Sequence, residues 1–327
     1  MSRAIQLILL PVVAILMSTM SADAFFKKRH MDPPEKTDQD TITRVQIFLD
    51  DNNFGPGKID GQMGKFTTAA VAHYNYIHGL QNNNWIKVLK DSEKRISSPY
   101  GVYTLKESDF GFIGNVPTDP KDQVGLKMLY YRTVSEFVAE RYHSDSNFIR
   151  KLNPGMDWRG IKPGAKIRVP NVIRPFKIED VKFNQHFKEK EGLSQRLVII
   201  DTKQHIAAIW EGDKLIATFP ITPGQDKFVH HGKWTIKIMI TTPEFRWDKQ
   251  MLQEGKRGDD FYLLPPGPNS PVGIFWAGIS KSGIGLHGTN SPETIGRSKS
   301  AGCVRFANWD AIRLSEFVRP GATVELR

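Results

Sequence analysis

The spacing of apolar and polar residues changes several times along the chain, and each change marks an element. Ala4 to Met17 is an apolar run interrupted only by Gln6 and Pro11. Arg3 precedes it and Ala22-Asp23-Ala24 follows, the charge, length and A-x-A ending of a secretory signal peptide cut after Ala24. The run is short of the ~20 apolar residues a spanning helix needs, so no transmembrane segment is expected after cleavage. Residues 25–40, charged and carrying Pro33-Pro34, predict a linker. Val45, Phe48 and Leu49 lie at i, i+3, i+4, one face of a helix that Asn53 to Gly57 ends. Asp60-Gly61 predicts a turn, and Thr67 or Thr68 a cap for a second helix with Ala70, Val71 and Tyr74 inward. Residues 81–125, rich in Asn, Ser, Pro and Gly, predict an extended connector. Helical spacing resumes with Val134, Phe137, Val138 and Tyr142, then Phe148, Ile149 and Leu152, which Asn153-Pro154-Gly155 stops. Gly164 to Pro170 predicts a short strand.

From residue 195 the period shortens to that of strands. Arg196–Asp201, His205–Trp210 and Lys214–Phe219 are β-rich runs separated by short polar turns, the pattern of antiparallel hairpins. Gly232–Ile240 predicts another strand. Leu263 to Pro271, with four prolines, predicts a rigid loop; strand character returns over 272–279. Asn308 is placed to cap a helix running to Val318, with Ala311, Leu314 and Val318 on one face, and Thr323–Leu326 is a last strand.

Composition adds limits. A chain of 327 residues allows two or three domains. With 39 % hydrophobic and 24 % charged residues it is not a disordered chain. The formal net charge of +10 asks for an anionic partner; export makes that a cell-envelope polymer rather than nucleic acid, in the periplasm or cell wall. One cysteine excludes an intrachain disulfide and a four-cysteine metal site. His205 and His230-His231 form no His-Glu-x-x-His pattern, so a metallopeptidase site is not expected.

The candidate chemistry centres on that cysteine. Cys303 stands in Ser300-Ala-Gly-Cys-Val-Arg-Phe306. Gly302 lets backbone approach a ligand, and the N–H groups of Gly302 and Cys303 can converge on one oxyanion. A thiol nucleophile needs a base, and His287, in Gly285-Leu-His-Gly-Thr-Asn290, lies sixteen residues upstream. The Gly288 carbonyl can accept from its second ring nitrogen and orient it, as a carboxylate does in a serine triad.

These residues resemble the catalytic domain of YkuD-type L,D-transpeptidases over about residues 195–327. The matching pieces are Gly232-Lys-Trp-Thr-Ile236, the proline loop Leu264 to Gly273, His287-Gly-Thr-Asn290 and Ser300-x-Gly-Cys-Val-Arg305, with Asn308 and Asp310 following. The sequence departs at Ala301, where many members carry histidine, and at His230-His231 before the strand. Two further stretches resemble wall-binding modules. Val45-Gln-x-Phe-Leu49, Gly57-Lys-Ile-Asp-Gly-x-x-Gly64 and Thr67-x-x-Ala70-Val71-x-x-Tyr74 resemble a small peptidoglycan-binding-like helical domain (41–80). Leu152-Asn-Pro154, Ile161-Lys-Pro-Gly164 and Ile167-Arg-Val-Pro170 resemble a βααβ LysM module (126–172), without its usual front loop. The fold so implied is a multidomain α+β protein: a mostly β, sandwich-type catalytic domain preceded by the two small modules.

The resemblance implies an enzyme that needs no cofactor. Cys303 attacks the diaminopimelate carbonyl of a peptidoglycan tetrapeptide stem and releases D-Ala. Gly302 and Cys303 N–H hold the oxyanion, and His287, oriented by Gly288, moves the protons. The acyl group passes to an amine, a second diaminopimelate or a lysine of an envelope lipoprotein. Arg305 either binds a substrate carboxylate or pairs with Asp310, and Ser300, a substrate-binding candidate beside it, holds the loop. Two other readings stand beside this one: an L,D-carboxypeptidase that gives the same thioester to water, and a non-catalytic wall-binding protein. Neither small module supplies a residue to the His287/Cys303 motif, which predicts a tether to stem peptide and glycan; the alternative is that the second module packs on the catalytic domain and completes its groove.

Overall fold

The computed structural model describes residues 37–225, 229, 231–254, 256–297 and 302–327. The expected signal peptide, most of the expected 25–40 linker, His230, Ser300 and Ala301 lie outside them.

The first unit has three helices, α1 (Gln39–Asp51), α2 (Lys65–Ile77) and α3 (Trp85–Arg95). Asp38 caps α1 by accepting from Thr41 N at 2.8 Å. Val45, Phe48 and Leu49 are buried, as their spacing requires. The Asp60-Gly61 turn is locked by the buried Gln46, whose Oε1 accepts from the N–H of Asp60 and Gly61 at 3.0 and 2.9 Å. Thr67 and Thr68 do not cap α2. The helix starts at Lys65 behind Gly64, and Thr67 is buried inside it, accepting from Gln46 Nε2.

The stretch 81–125 is not an extended connector. It holds α3, the strand β1 (Tyr100–Thr104) and the single turn α4 (Pro120–Gln123). Trp85, Val88 and Ser92 repeat at helical spacing and are buried; the polar flanks hid this short apolar stripe. β1 pairs antiparallel with β2 (Lys166–Pro170), Tyr100 opposite Pro170 and Thr104 opposite Lys166. Between them run α5 (Val134–Arg141), capped by Thr133, and α6 (Ser146–Leu152), capped by Asp145. The second unit is thus strand–helix–helix–strand, with its first strand drawn from before residue 126.

The remaining strands are β3 (Leu197–Asp201), β4 (Ile206–Glu211), β5 (Lys214–Pro220), β6 (Gly232–Thr241), β7 (Phe245–Trp247), β8 (Tyr262–Leu264), β9 (Phe275–Ile279), β10 (Gly285–His287), β11 (Val304–Arg305) and β12 (Thr323–Leu326), with α7 (Lys249–Glu254) and α8 (Asn308–Phe317). β7 and β8 form a separate hairpin; the others make one mixed sheet in the order β11-β10-β9-β6-β12-β3-β4-β5. β3–β4–β5 is the antiparallel meander read from sequence, but β12 runs parallel to β3, and β11 to β10. The expected sandwich is this single sheet curled on itself. Thr222, just beyond β5, and Arg305 on β11 exchange two N–H···O bonds of 2.9 Å and join the outer edges. The open side of β5 is covered by the first unit, with Gly55 N to Thr218 O at 2.7 Å and Thr218 N to Asn53 O at 2.9 Å, which hides an edge that would otherwise invite pairing.

Both small units share cores with the sheet. Val45, Leu49 and Val71 pack in one cluster with Ile199, Trp210 and Leu215. Tyr131, Phe137 and Val138 belong to the cluster of Phe275, Leu286 and Phe306. A buried junction joins all three. Asp50 of α1 accepts from Arg313 Nη1 of α8 at 2.9 Å and lies 3.1 Å from Nδ1 of His143, whose ring stacks on Trp309. This packing contradicts a free tether and agrees with the alternative in which the second unit lies on the catalytic domain.

Candidate active site

β10 and β11 lie side by side and parallel, Leu286 opposite Val304 and His287 opposite Arg305. Side chains alternate along a strand, so Leu286 and Val304 point into the core, where both are buried, and His287, Arg305 and Cys303 share the other face. That face forms the wall of a cleft of about 370 Å³, lined also by Trp276, Pro271, Val272, β7 and Met251 of α7. The motif's sixteen-residue spacing is therefore the connection between two neighbouring parallel strands.

His287 is buried, and its Nδ1–H donates to Gly288 O at 2.6 Å. A carbonyl only accepts, so Nδ1 carries the proton and Nε2 the lone pair. Burial, and next the Arg305 charge, lower the imidazole pKa to about 3 against the raising effect of the Gly288 bond. The ring is neutral at physiological pH. Trp276 stacks on it with centroids 5.5 Å apart. Gly285 makes room for this wall: a Cβ there would lie 2.5 Å from the Trp276 ring.

Cys303 is half-buried, and its S–H donates to Gly283 O at 3.5 Å. Burial raises the thiol pKa, while a backbone bond from Gly285 and the charge of Arg305 oppose that. The resting pair is thus a neutral thiol and a neutral imidazole. Gly302 is buried with φ +115°, a conformation glycine takes readily. Gly224 presses on it so closely that a Cβ would lie 2.6 Å from Gly302 Cα. No periodicity or motif in the sequence singles out Gly224.

Arg305 does not pair with Asp310. The charged groups that act on Asp310 are Arg313 and Asp50. Among the described residues Arg305 has no carboxylate partner, and its buried Nε has no hydrogen-bond acceptor. The guanidinium is available to an anion entering the cleft.

Asn308 was expected as a helix cap. Ala307 is the cap residue of α8, and the Asn308 carboxamide is fully buried elsewhere. Its Oδ1 accepts from Thr289 N at 3.2 Å and Ile274 N at 3.3 Å, and its Nδ2 donates to Pro268 O at 3.2 Å. It therefore ties the turn after His287 to the proline loop. That loop is held by the second unit: Leu129 N donates to Pro266 O at 2.8 Å, and Asn269 donates to Glu136 at 2.7 Å. Among the described residues no three His, Cys, Asp or Glu side chains converge on a metal position, and no helix is long and apolar enough to cross a membrane.

A curled mixed sheet thus places an oriented histidine at the end of β10 and a cysteine just before the adjacent β11, facing one cleft. The family model for the L,D-transpeptidase catalytic domain matches residues 195–326. The chain is 39 % identical over 191 residues to the YkuD protein of Bacillus subtilis, covering 58 % of this chain and 90 % of that one. It is 26 % identical over 193 residues to YkuD of Bacillus licheniformis, covering 58 % and 92 %. An L,D-transpeptidase structure from Mycobacterium smegmatis is 15 % identical with a TM-score of 0.33, covering 41 % of this chain; the chain spans 58 % of that one's length. The protein belongs to the YkuD-type L,D-transpeptidase family.

Proposed function

We propose that the protein is an exported cell-wall L,D-transpeptidase using Cys303 as nucleophile. The observation that carries this is the common face of His287, Cys303 and Arg305, with the His287 tautomer fixed by Gly288 O. His287 Nε2 takes the thiol proton as Sγ attacks the diaminopimelate carbonyl of a tetrapeptide stem. The N–H groups of Gly302 and Cys303 receive the oxyanion. The imidazolium returns the proton to the leaving D-Ala nitrogen, and a thioester remains. An acceptor amine loses its proton to His287 and displaces the thiol, giving a new amide. Arg305 binds a carboxylate of the stem peptide through its planar fork. The two N-terminal units lie on the wall polymer, the first by its resemblance to peptidoglycan-binding domains and the second by its resemblance to LysM modules.

The test is mass spectrometry of muropeptides after incubation with tetrapeptide-rich peptidoglycan, with and without an added amine. Dimers or amine adducts with loss of D-Ala are expected. Tripeptides alone would point to the carboxypeptidase, and unchanged tetrapeptides would overturn both.

A further inference from the structure

The connection between β7 and β8 runs from Asp248 to Phe261, well beyond the roughly two to five residues that join most hairpins. After α7 no regular structure holds it, and two side chains do so instead. Asp248, its carboxylate almost fully buried, accepts from Met251 N at 2.9 Å and from Gly258 N at 2.8 Å. Arg246 of β7 donates from Nη2 to Gly258 O at 2.7 Å, and its guanidinium lies 3.7 Å from the centre of the Phe261 ring. Both backbone polar groups of Gly258 are therefore tied down, and the residue before it is carried to a fixed place.

That residue is Arg257. It lines the cleft that also holds His287, Cys303 and Arg305. It is exposed, and among the described residues it has no hydrogen-bond or ion-pair partner. The charges of the cleft do not cancel around it. Arg246 is taken up by Gly258 O, Phe261 and Asp248, 3.8 Å away. Glu244 is then the one acid of the lining left unengaged, and Asp259 and Asp260, although close to Arg257 in sequence, do not line the cleft. Two guanidiniums, Arg257 and Arg305, stand without a carboxylate. A tetrapeptide stem carries several: on D-glutamate, on the second centre of diaminopimelate and on the terminal D-Ala. One of them on Arg305 leaves Arg257 facing the rest, and an arginine fork matches a carboxylate in geometry as well as charge.

We infer that Arg257 is a specificity-determining residue that binds a second carboxylate of the donor stem, so that the enzyme favours stems in which that carboxyl is free over stems in which it is amidated. The inference rests on the transpeptidase reading for its substrate. Its geometric basis, an unpaired guanidinium on a pinned turn at the cleft of Cys303, does not depend on that reading.

The experiment compares wild type, Arg257→Gln, Arg257→Lys and Lys256→Gln in the full chain; Lys256 is the exposed neighbouring cation that does not line the cleft. Thioester formation is followed with a tetrapeptide donor whose carboxyls are all free, and with donors amidated at one carboxyl each. Arg257→Gln should raise the half-saturating donor concentration about tenfold, the lower end of what a hydrogen bond to a charged group is worth, and keep the saturating rate within about twofold. One amidated donor should show the same loss with wild type and no further loss with Arg257→Gln. Arg257→Lys, which keeps the charge without the fork, should fall between, and Lys256→Gln should match wild type. Wild-type half-saturation in Arg257→Gln would overturn the inference, as would amidation penalties equal in the two proteins at every carboxyl, or a loss as large in Lys256→Gln. A second readout needs no stem peptide: the rate of Cys303 alkylation by iodoacetate relative to neutral iodoacetamide at low salt. Removing the Arg257 charge should lower that ratio by about twofold, and an unchanged ratio counts against the inference. If wild type forms no thioester with any donor the transpeptidase reading falls, and the alkylation ratio still decides whether Arg257 presents its charge to a carboxylate in the cleft.

Discussion

Asp50 lies on the first helix, in the unit most remote in sequence from Cys303, yet replacing it should destabilise the catalytic domain. Its carboxylate is almost fully buried, receives Arg313 Nη1 at 2.9 Å and faces His143 at 3.1 Å. Asp50→Ala leaves the Arg313 guanidinium buried without its counter-charge. Breaking a buried pair from one side costs about 3–5 kcal/mol. Arg313 keeps the Asp50 carbonyl at 3.0 Å and Asn53 Oδ1 at 2.8 Å, so the lower end, about 3 kcal/mol, applies. For domains somewhat smaller than this chain, each kcal/mol moves Tm by about 2–4 °C, which gives a fall of about 6–12 °C. Burial pushes the Asp50 pKa up, but His143 and Arg313 outweigh it, and the carboxyl titrates well below the usual range. A group lowered in the fold stabilises fully above its unfolded pKa of about 4 and loses that contribution as pH falls below it. The wild-type minus variant difference should therefore shrink as pH falls from 5 toward 3. Scanning calorimetry across that range checks both statements. A Tm within 2 °C of wild type at pH 7, or a second transition left unmoved by the substitution, would refute the idea that the three units melt as one.

Other outcomes follow from the same contacts. Cys303→Ala should abolish thioester formation with an unchanged circular dichroism spectrum, and His287→Ala should slow acylation by about 10²–10⁴; wild-type acylation in either variant would remove that residue from the chemistry. Because the imidazole pKa is lowered to about 3, the acid limb of donor kcat/KM should show no inflection between pH 6 and 7; an inflection there would place imidazolium in the resting site. Asp310 is pushed up to about 8, by burial first and by Asp50 next, against Arg313. An acid raised in the fold loses native stability as pH climbs from about 4 to 8, so Asp310→Asn should gain in Tm relative to wild type over that interval, and a constant difference would refute the shift. A chain starting at Val181 should lack a sharp thermal transition, because it bares Ile199, Trp210 and Leu215, three side chains whose burial is worth about 1.5–3 kcal/mol each; a cooperatively melting truncation with full turnover on soluble donor would restore the tether.

The strands of the catalytic domain were legible because each is a dense β-branched or aromatic run bounded by polar turns. The buried faces of α1, α5 and α6 were legible for the same kind of reason, three or four apolar residues at helical spacing. α3 was not: Trp85, Val88 and Leu89 do lie at helical spacing, but Asn82-Asn83-Asn84 before them and the charged run Asp91–Arg95 after them read as a polar connector. Helix starts were misread at Thr67 and Asn308 because a polar residue before an apolar run has two uses. It can cap the helix, or it can enter the core when a buried partner waits there. Thr67 has Gln46, and Asn308 has the N–H groups of Ile274 and Thr289. Both partners are distant in sequence, so local pattern favours the cap.

The same distinction explains what could be read of the candidate site. His287, Gly288, Cys303 and Arg305 sit on two adjacent strands, within nineteen residues of one another, and a motif can hold that much. Their surroundings come from elsewhere: Trp276 from β9, Gly224 from the segment beyond β5, Asn308 from α8, and the proline loop that Asn308 binds is held by Leu129 and Glu136. The last two belong to a unit whose sequence pattern speaks only of a separate module. Its apolar face is that of any small helical pair, and nothing in the period tells whether sugar, water or another domain covers it. The structure answers that for Tyr131, Phe137 and Val138, which lie in one core with Leu286, the residue before the histidine. A surface spent on that core cannot also be a mobile linker's end. Any wall binding by the second unit must therefore use its other faces, and a polymer held there is held at a fixed distance from the cleft, by a rigid body instead of a chain.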